Sequence, residues 1–139
     1  MKPLLYLILT VSALLAAPVC QSTGVTVTVT LENVLSDRGD ILAVLHTAET
    51  FMKDEGLDSF KTEARKGAIT FAFENVAPGT YAISVLQDLN GNRRMDYELN
   101  GKPKEPYGMS GNDMSIGPPT FERVKFKVGM EDLHLRIRF

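Results

Sequence analysis

The sequence predicts an all-β protein: a single antiparallel β-sandwich with one short helical turn and one long irregular loop. Three observations carry this. Apolar and polar residues alternate with period two in several runs, the clearest being Val25, Val27, Val29 and Leu31 against Thr26, Thr28, Thr30 and Glu32. Gly, Pro, Asn and Asp punctuate the chain between these runs. A helical period is nowhere sustained.

Taken in order, the chain opens with Met1-Lys2, an apolar run over residues 4–15 and the small residues Ala16 and Ala17, the layout of a secretory signal peptide. Residues 1–22 are therefore read as that signal and residues 23–139 as the β-sandwich domain. The run is shorter than the ~20 residues a membrane span needs, and no basic stop-transfer cluster follows it. The expected destination is the periplasm or the extracellular space. Cys20 is the only cysteine, and Ala17-Pro18-Val19 lacks the small residue that a lipoprotein signal places directly before its cysteine. Cleavage near residues 20–22 without a lipid is the expectation, leaving a domain that folds without disulfides.

A domain of about 115 residues is long enough to bury about two thirds of its unfolded surface. Of the 15 basic residues, removing Lys2 leaves 14 against 17 acidic ones, a formal charge of −3. That mild acidity argues against nucleic acid or an anionic membrane as partner, since both call for clustered Lys and Arg. It leaves an unidentified envelope or extracellular partner.

The first strand is the alternating run from Val25 to Glu32. Asp37-Arg38-Gly39-Asp40 reads as a turn into residues 41–46, apolar on both faces as in a central strand. A Gly turn between strands explains Arg38-Gly39-Asp40 better than an adhesion motif does. Residues 48–65 are charged with isolated apolar residues, Phe51, Met52, Leu57 and Phe60, which suits a crossover loop with a short helical turn.

Residues 68–75 alternate again, with Ile69, Phe71 and Phe73 on one face, and Ala77-Pro78-Gly79-Thr80 suits a type II turn. A hairpin is expected, its second arm placing Tyr81, Ile83 and Val85 inward and Ala82 and Ser84 outward. Residues 97–119 have no period and carry Gly and Pro throughout, so they form a long excursion of the kind found at functional loops. In it Glu105, Tyr107, Ser110, Asn112 and Asp113 are the candidate ligand or partner contacts. Two strands close the chain, with Val124, Phe126 and Val128 inward in one and Leu133, Leu135, Ile137 and Phe139 in the other.

Asp88-Leu89-Asn90-Gly91-Asn92-Arg93-Arg94-Met95-Asp96 is the segment that bears on chemistry. A hard cation needs oxygens converging at about 2.3–2.6 Å, which a loop supplies from positions 1, 3, 5, a backbone carbonyl at 7, and 9. Asp88, Asn90, Asn92, the carbonyl of Arg94 and Asp96 fit that register for calcium. The helix-loop-helix calcium loop also wants Gly at position 6 and Glu at position 12, where this chain has Arg93 and Leu99. Glu98, one place early, is the candidate substitute. The competing reading is an Asn-Gly turn in which the Asn and Asp side chains bond the local backbone.

The residues 73–82, Phe-Glu-Asn-Val-Ala-Pro-Gly-Thr-Tyr-Ala, the Asp88-x-Asn90-x-Asn92 loop and the Tyr107-Gly108-Met109-Ser110 segment together resemble a bacterial family of exported proteins. That family is known as domain of unknown function 2141, and the resemblance runs from about Gly24 to Phe139. Pro78-Gly79-Thr80-Tyr81 is also similar to turns in transthyretin-like and carboxypeptidase-regulatory-like sandwiches, which implies an immunoglobulin-like or transthyretin-like fold and no activity. Members of the resembling family often have His before the loop aspartate and Glu after it, where this chain has Gln87 and Leu89. These departures weaken the case for a metal site that uses imidazole and leave the oxygen-only reading intact.

No arrangement in the sequence identifies a reaction. A nucleophilic triad needs a base beside its Ser, and His46 and His134 both lie in strands far in sequence from Ser110. There is no Cys and His cluster for zinc. The leading expectation is a non-catalytic exported binding module using the loops after Leu86. The alternatives are a hydrolase using carboxylates of residues 97–119, such as Glu98, Glu105 and Asp113, and a structural envelope protein without a small ligand.

Overall fold

The computed structural model describes residues 24–53, 55–113 and 117–139. The expected signal segment, with Cys20, lies outside the described residues. Strands β1 (Val25–Val34), β2 (Asp40–His46), β3 (Asp58–Glu63), β4 (Gly67–Val76), β5 (Gly79–Asp88), β6 (Tyr107–Met109), β7 (Phe126–Val128) and β8 (Leu133–Arg138) form two sheets. One has the order β4-β1-β8; the other runs β3-β2-β5-β6, with β7 also paired to β5. The helical elements are a 3-10 turn, Ser110–Asn112, and α1, Phe121–Val124.

Period-two alternation becomes burial directly. On β1 the side chains of Val27, Val29 and Leu31 are fully buried between the sheets, while the threonines between them face outward, half-buried. Each such aliphatic side chain contributes about 1.5–3 kcal/mol on leaving water. Ile41, Leu45, Ile83 and Phe73 meet them from the other strands. At one side of the sandwich Phe60 of β3 stacks on Phe71 of β4 at 4.6 Å between ring centres, tying the second sheet to the first.

The sandwich is as expected, and several of its parts are not. β4 and β5 do not form a hairpin: β4 pairs with β1 and β5 with β2, so the Ala77-Pro78 turn carries the chain from one sheet to the other. A Pro-Gly turn is local and serves either connection. Residues 58–63, read as crossover loop, are strand β3, in register with β2 at Ala43↔Phe60. As an edge strand it exposes most of its side chains, so backbone pairing and not apolar alternation makes it a strand. The expected helical turn within residues 48–65 is a single uncontinued turn, closed by Phe51 N–H to the Thr47 C=O four residues back, and the short helix α1 lies elsewhere, at Phe121–Val124.

β8 lies parallel to β1, with Val29↔Leu135, which departs from a wholly antiparallel sandwich. The long chain between them supplies the crossover that a parallel pair requires. Ala82 and Val124 are buried outside the main core. With Phe51, and with Met109 and Phe121 packed on them, they form a small second cluster on the outer face of the five-stranded sheet. The excursion of residues 97–119 contains β6, whose Gly108 is needed because a Cβ there would stand 2.7 Å from the Arg138 carbonyl oxygen.

Candidate functional site

β5 delivers Asp88 to the end of the five-stranded sheet with its side chain buried. The turn before β2 fits against it. Gly39 has φ +73, and a Cβ there would lie 2.1 Å from the Asp88 carbonyl oxygen, so only glycine permits this approach. Arg38-Gly39-Asp40 is occupied structurally throughout. The Arg38 carbonyl accepts from Gln87 Nε2 at 2.8 Å, and Asp40 pairs with Lys61 at 2.9 Å.

The 88–96 loop winds around its own acidic and amide side chains. Asp88 Oδ1 accepts the Gly91 N–H and Oδ2 the Arg93 N–H, each at 2.8 Å. Asn90 Oδ1 accepts from Asn92 N–H at 3.1 Å and Asn92 Oδ1 from Arg94 N–H at 3.0 Å, two successive turns of the kind Asn favours. The amide groups of both Asn90 and Asn92 donate to a single oxygen, Asp96 Oδ2. Of the six expected ligand residues, Asn90, Asn92 and Asp96 are joined directly, and Asp88 reaches the same loop through its backbone N–H groups.

Arg93 occupies the position where a calcium loop has glycine, and its φ of +63 is the left-handed value glycine would take. The backbone adopts the required bend in spite of the residue. Glu98 belongs instead to a projecting finger, where it lines a shallow depression with Leu99, Asn100 and Lys104.

Glu105 has a role that spacing did not suggest. It is buried, with Oε1 accepting the Leu89 N–H at 2.9 Å and Oε2 the Asp96 N–H at 3.2 Å. One carboxylate thus straps the beginning of the loop to its end. Among the described residues the ion pairs are formed by other groups, and Asp88, Asp96 and Glu105 have no cationic partner. Also among the described residues, no three His, Cys, Asp or Glu side chains group as a metal set. A hard cation here would rest on two carboxylates and neutral amide or carbonyl oxygens, which the loop has.

The other candidate contacts divide. Ser110 is buried, its Oγ accepting the Ile83 N–H at 2.9 Å and donating to the Val124 carbonyl. Asn112 caps the free edge of β8, donating to the Arg136 carbonyl and accepting from the Arg138 N–H, both at 2.9 Å. Asp113 pairs with Arg123. Tyr107, Asn112 and Asp113 line a groove of about 230 Å³ with Met109, Arg123 and Arg138.

One juxtaposition escaped the sequence. His46 Nε2 lies 3.1 Å from Ser84 Oγ, the two side chains meeting diagonally across β2 and β5. Burial lowers the His46 pKa below its ordinary value, with the Thr50 backbone opposing part of that shift. His46 is only 5% exposed, packs edge-on against Phe51, and its Nδ1 has no hydrogen-bond partner among the described residues. The pair packs beside Phe51 at the edge of the second apolar cluster.

The chain matches a family described as an uncharacterized protein conserved in bacteria, DUF2141, over residues 29–136. No curated protein and no solved structure matches it.

Proposed function

The chain belongs to the DUF2141 family of bacterial proteins, and from that premise and the charge of its loop we propose an exported, non-catalytic binding module that takes up calcium at residues 88–96. Asp88, Asn90, Asn92 and Asp96 with the Arg94 carbonyl would hold the ion, which would supply positive charge to the loop. The observation that carries the reading is the uncompensated charge: Asp88 and Glu105 are buried and Asp96 is half-buried, and no cation pairs with any of them among the described residues. Carboxylates that accept only from neutral N–H donors offer the oxygen ligands a hard divalent ion takes. The left-handed Arg93 supports the same reading.

A non-catalytic role is supported by the fate of the carboxylates a hydrolase would need. Glu105 is committed to the two backbone N–H groups of the loop and Asp113 to Arg123. Export rests on the sequence of residues 1–22. Among the described residues no helix is long and apolar enough to cross a membrane. Calorimetric titration with calcium tests the central claim: saturable heat that Asp96→Asn weakens is expected, and no heat at millimolar calcium would overturn it.

A further inference from the structure

The mild acidity of the whole chain argues against an anionic surface as partner only as an average. Charge is distributed unevenly, and residues 93–104 carry Arg93, Arg94, Lys102 and Lys104 against Asp96 and Glu98. All four basic residues are exposed, and none forms an ion pair among the described residues.

Lys102 and Lys104 lie on a hydrogen-bonded finger that Arg93 and Arg94 lead into along the chain. Its arms are joined by a Tyr97↔Pro103 bridge and by backbone hydrogen bonds from Glu98 to Lys102 at 2.8 Å and from Lys104 to Asp96 at 2.9 Å. The Gly101 N–H closes the tip on the Glu98 carbonyl at 2.9 Å, and Gly101 takes the φ of +81 that this turn requires. Its base is strapped by Glu105 through the Asp96 N–H. At the apex Leu99 is fully exposed, and Tyr97 is 56% exposed behind it. A single exposed leucine is ordinary on a protein surface. An ordered hairpin that presents an uncovered leucine, an aromatic behind it and two exposed lysines on its returning arm, with two exposed arginines just ahead of it in the chain, is a different arrangement.

We propose that this finger is a docking tip for an anionic phospholipid surface. Leu99 enters the outer part of the acyl region and Tyr97 sits at headgroup level, where an amphipathic ring is favoured. Arg93, Arg94, Lys102 and Lys104 meet the lipid phosphates. Charge complementarity selects this occupant over an apolar protein groove, since an exposed segment with four basic residues against two acidic ones and an apolar apex matches a layer that is negative outside and apolar within. The proposal does not depend on calcium in the neighbouring loop.

The test is co-sedimentation of the protein with vesicles of phosphatidylcholine alone and of phosphatidylcholine mixed with phosphatidylglycerol, in chelator and again in calcium. Binding to the mixed vesicles and not to phosphatidylcholine is expected, weakening with added salt. Lys102→Gln and Lys104→Gln should each lower the partition coefficient about fivefold. Leu99→Ser should lower it about tenfold while leaving the melting temperature unchanged, because the side chain is fully exposed. Equal binding to both vesicle types, no binding to either, or full binding by Leu99→Ser would each overturn the proposal. A dimer in solution that Leu99→Ser converts to monomer, without vesicle binding, would also overturn it and make the tip a contact between copies of this chain.

Discussion

Glu105 closes the loop on Asp96: its Oε2 accepts the Asp96 N–H at 3.2 Å while Oε1 accepts the Leu89 N–H at 2.9 Å. The carboxylate has one acceptor for each end of the segment, beside the β2 pairing that holds Asp88 and the Lys104 N–H that bonds the Asp96 carbonyl. Preorganisation of the 88–96 loop therefore depends on a residue outside it. In Glu105→Gln the amide NH2 would face a backbone N–H, leaving one buried donor without an acceptor. A loss of about 1–3 kcal/mol follows. Thermal melting should show it, and hydrogen exchange should show lost protection at the amide that faces the new NH2 group.

Gly39 and Asp88 give a second prediction. Gly39 combines a left-handed φ with an approach that places any Cβ 2.1 Å from the Asp88 carbonyl oxygen. Gly39→Ala has to displace the end of β5 or the turn itself, costing about 2 kcal/mol or more from strain and collision together. Denaturant unfolding measures this. A stability within 0.5 kcal/mol (roughly the range of neutral surface substitutions) would mean that the turn moves freely and does not fix the loop.

The pH dependence of stability follows from His46. Burial lowers its pKa in the folded protein, so below the ordinary value of 6.5 the unfolded chain binds a proton that the folded one refuses. The sign is fixed: this stability is present above about pH 6.5 and is lost as pH falls from there towards the folded pKa. One proton gives a slope of at most about 1.4 kcal/mol per pH unit. His46→Gln keeps a donor for Ser84 and removes the titration. Its melting temperature should decline less than that of the wild type between pH 7 and 5.5.

The sequence made legible what burial and local bonding impose. β1, β4, β5 and β8 could be read because one face of each lies in the core and alternation records that, and β2 because it is apolar on both faces. β3 could not, since an edge strand with Phe60 as its one inward aromatic has no period to record. The gathering of Asp88, Asn90, Asn92 and Asp96 was legible because Asn and Asp act on backbone two to five residues away. Glu105, 16 residues beyond Leu89, and the His46–Ser84 contact, 38 residues apart, were not, because nothing local distinguishes a carboxylate or a histidine that will find a distant partner. The β4–β5 connection was misread for the same reason: the turn is local, but the choice of sheet is made by what each strand pairs with afterwards.

Export predicts a defined mature terminus. N-terminal sequencing of protein recovered outside the cytoplasm should begin within residues 20–24, after the apolar run and the small residues. A retained Met1, or an acylated Cys20, would replace the soluble exported form with an anchored one.

The ion reading makes the last prediction, and the loop decides which variant tests it. Asp88 caps two backbone N–H groups at 2.8 Å, so Asp88→Ala removes structure along with any ligand and cannot separate the two. Asp96 is better placed. Its Oδ2 accepts from two side-chain amides, so Asp96→Asn keeps an oxygen there and takes away one negative charge. With two carboxylates and two neutral amides, affinity should fall near the ~10⁻⁴–10⁻³ M of extracellular calcium modules. Calcium at tenfold excess over Kd then stabilises the folded state by about 1.4 kcal/mol. For a domain of this length that raises Tm by roughly 4–8 °C. Melts in chelator, millimolar magnesium and millimolar calcium should show the rise with calcium, a smaller one with magnesium, which prefers rigid octahedral sites, and little in Asp96→Asn. If calcium leaves the wild-type Tm where chelator does, the two Asn amides suffice for Asp96, and the segment is a self-contained turn that positions the finger beyond it.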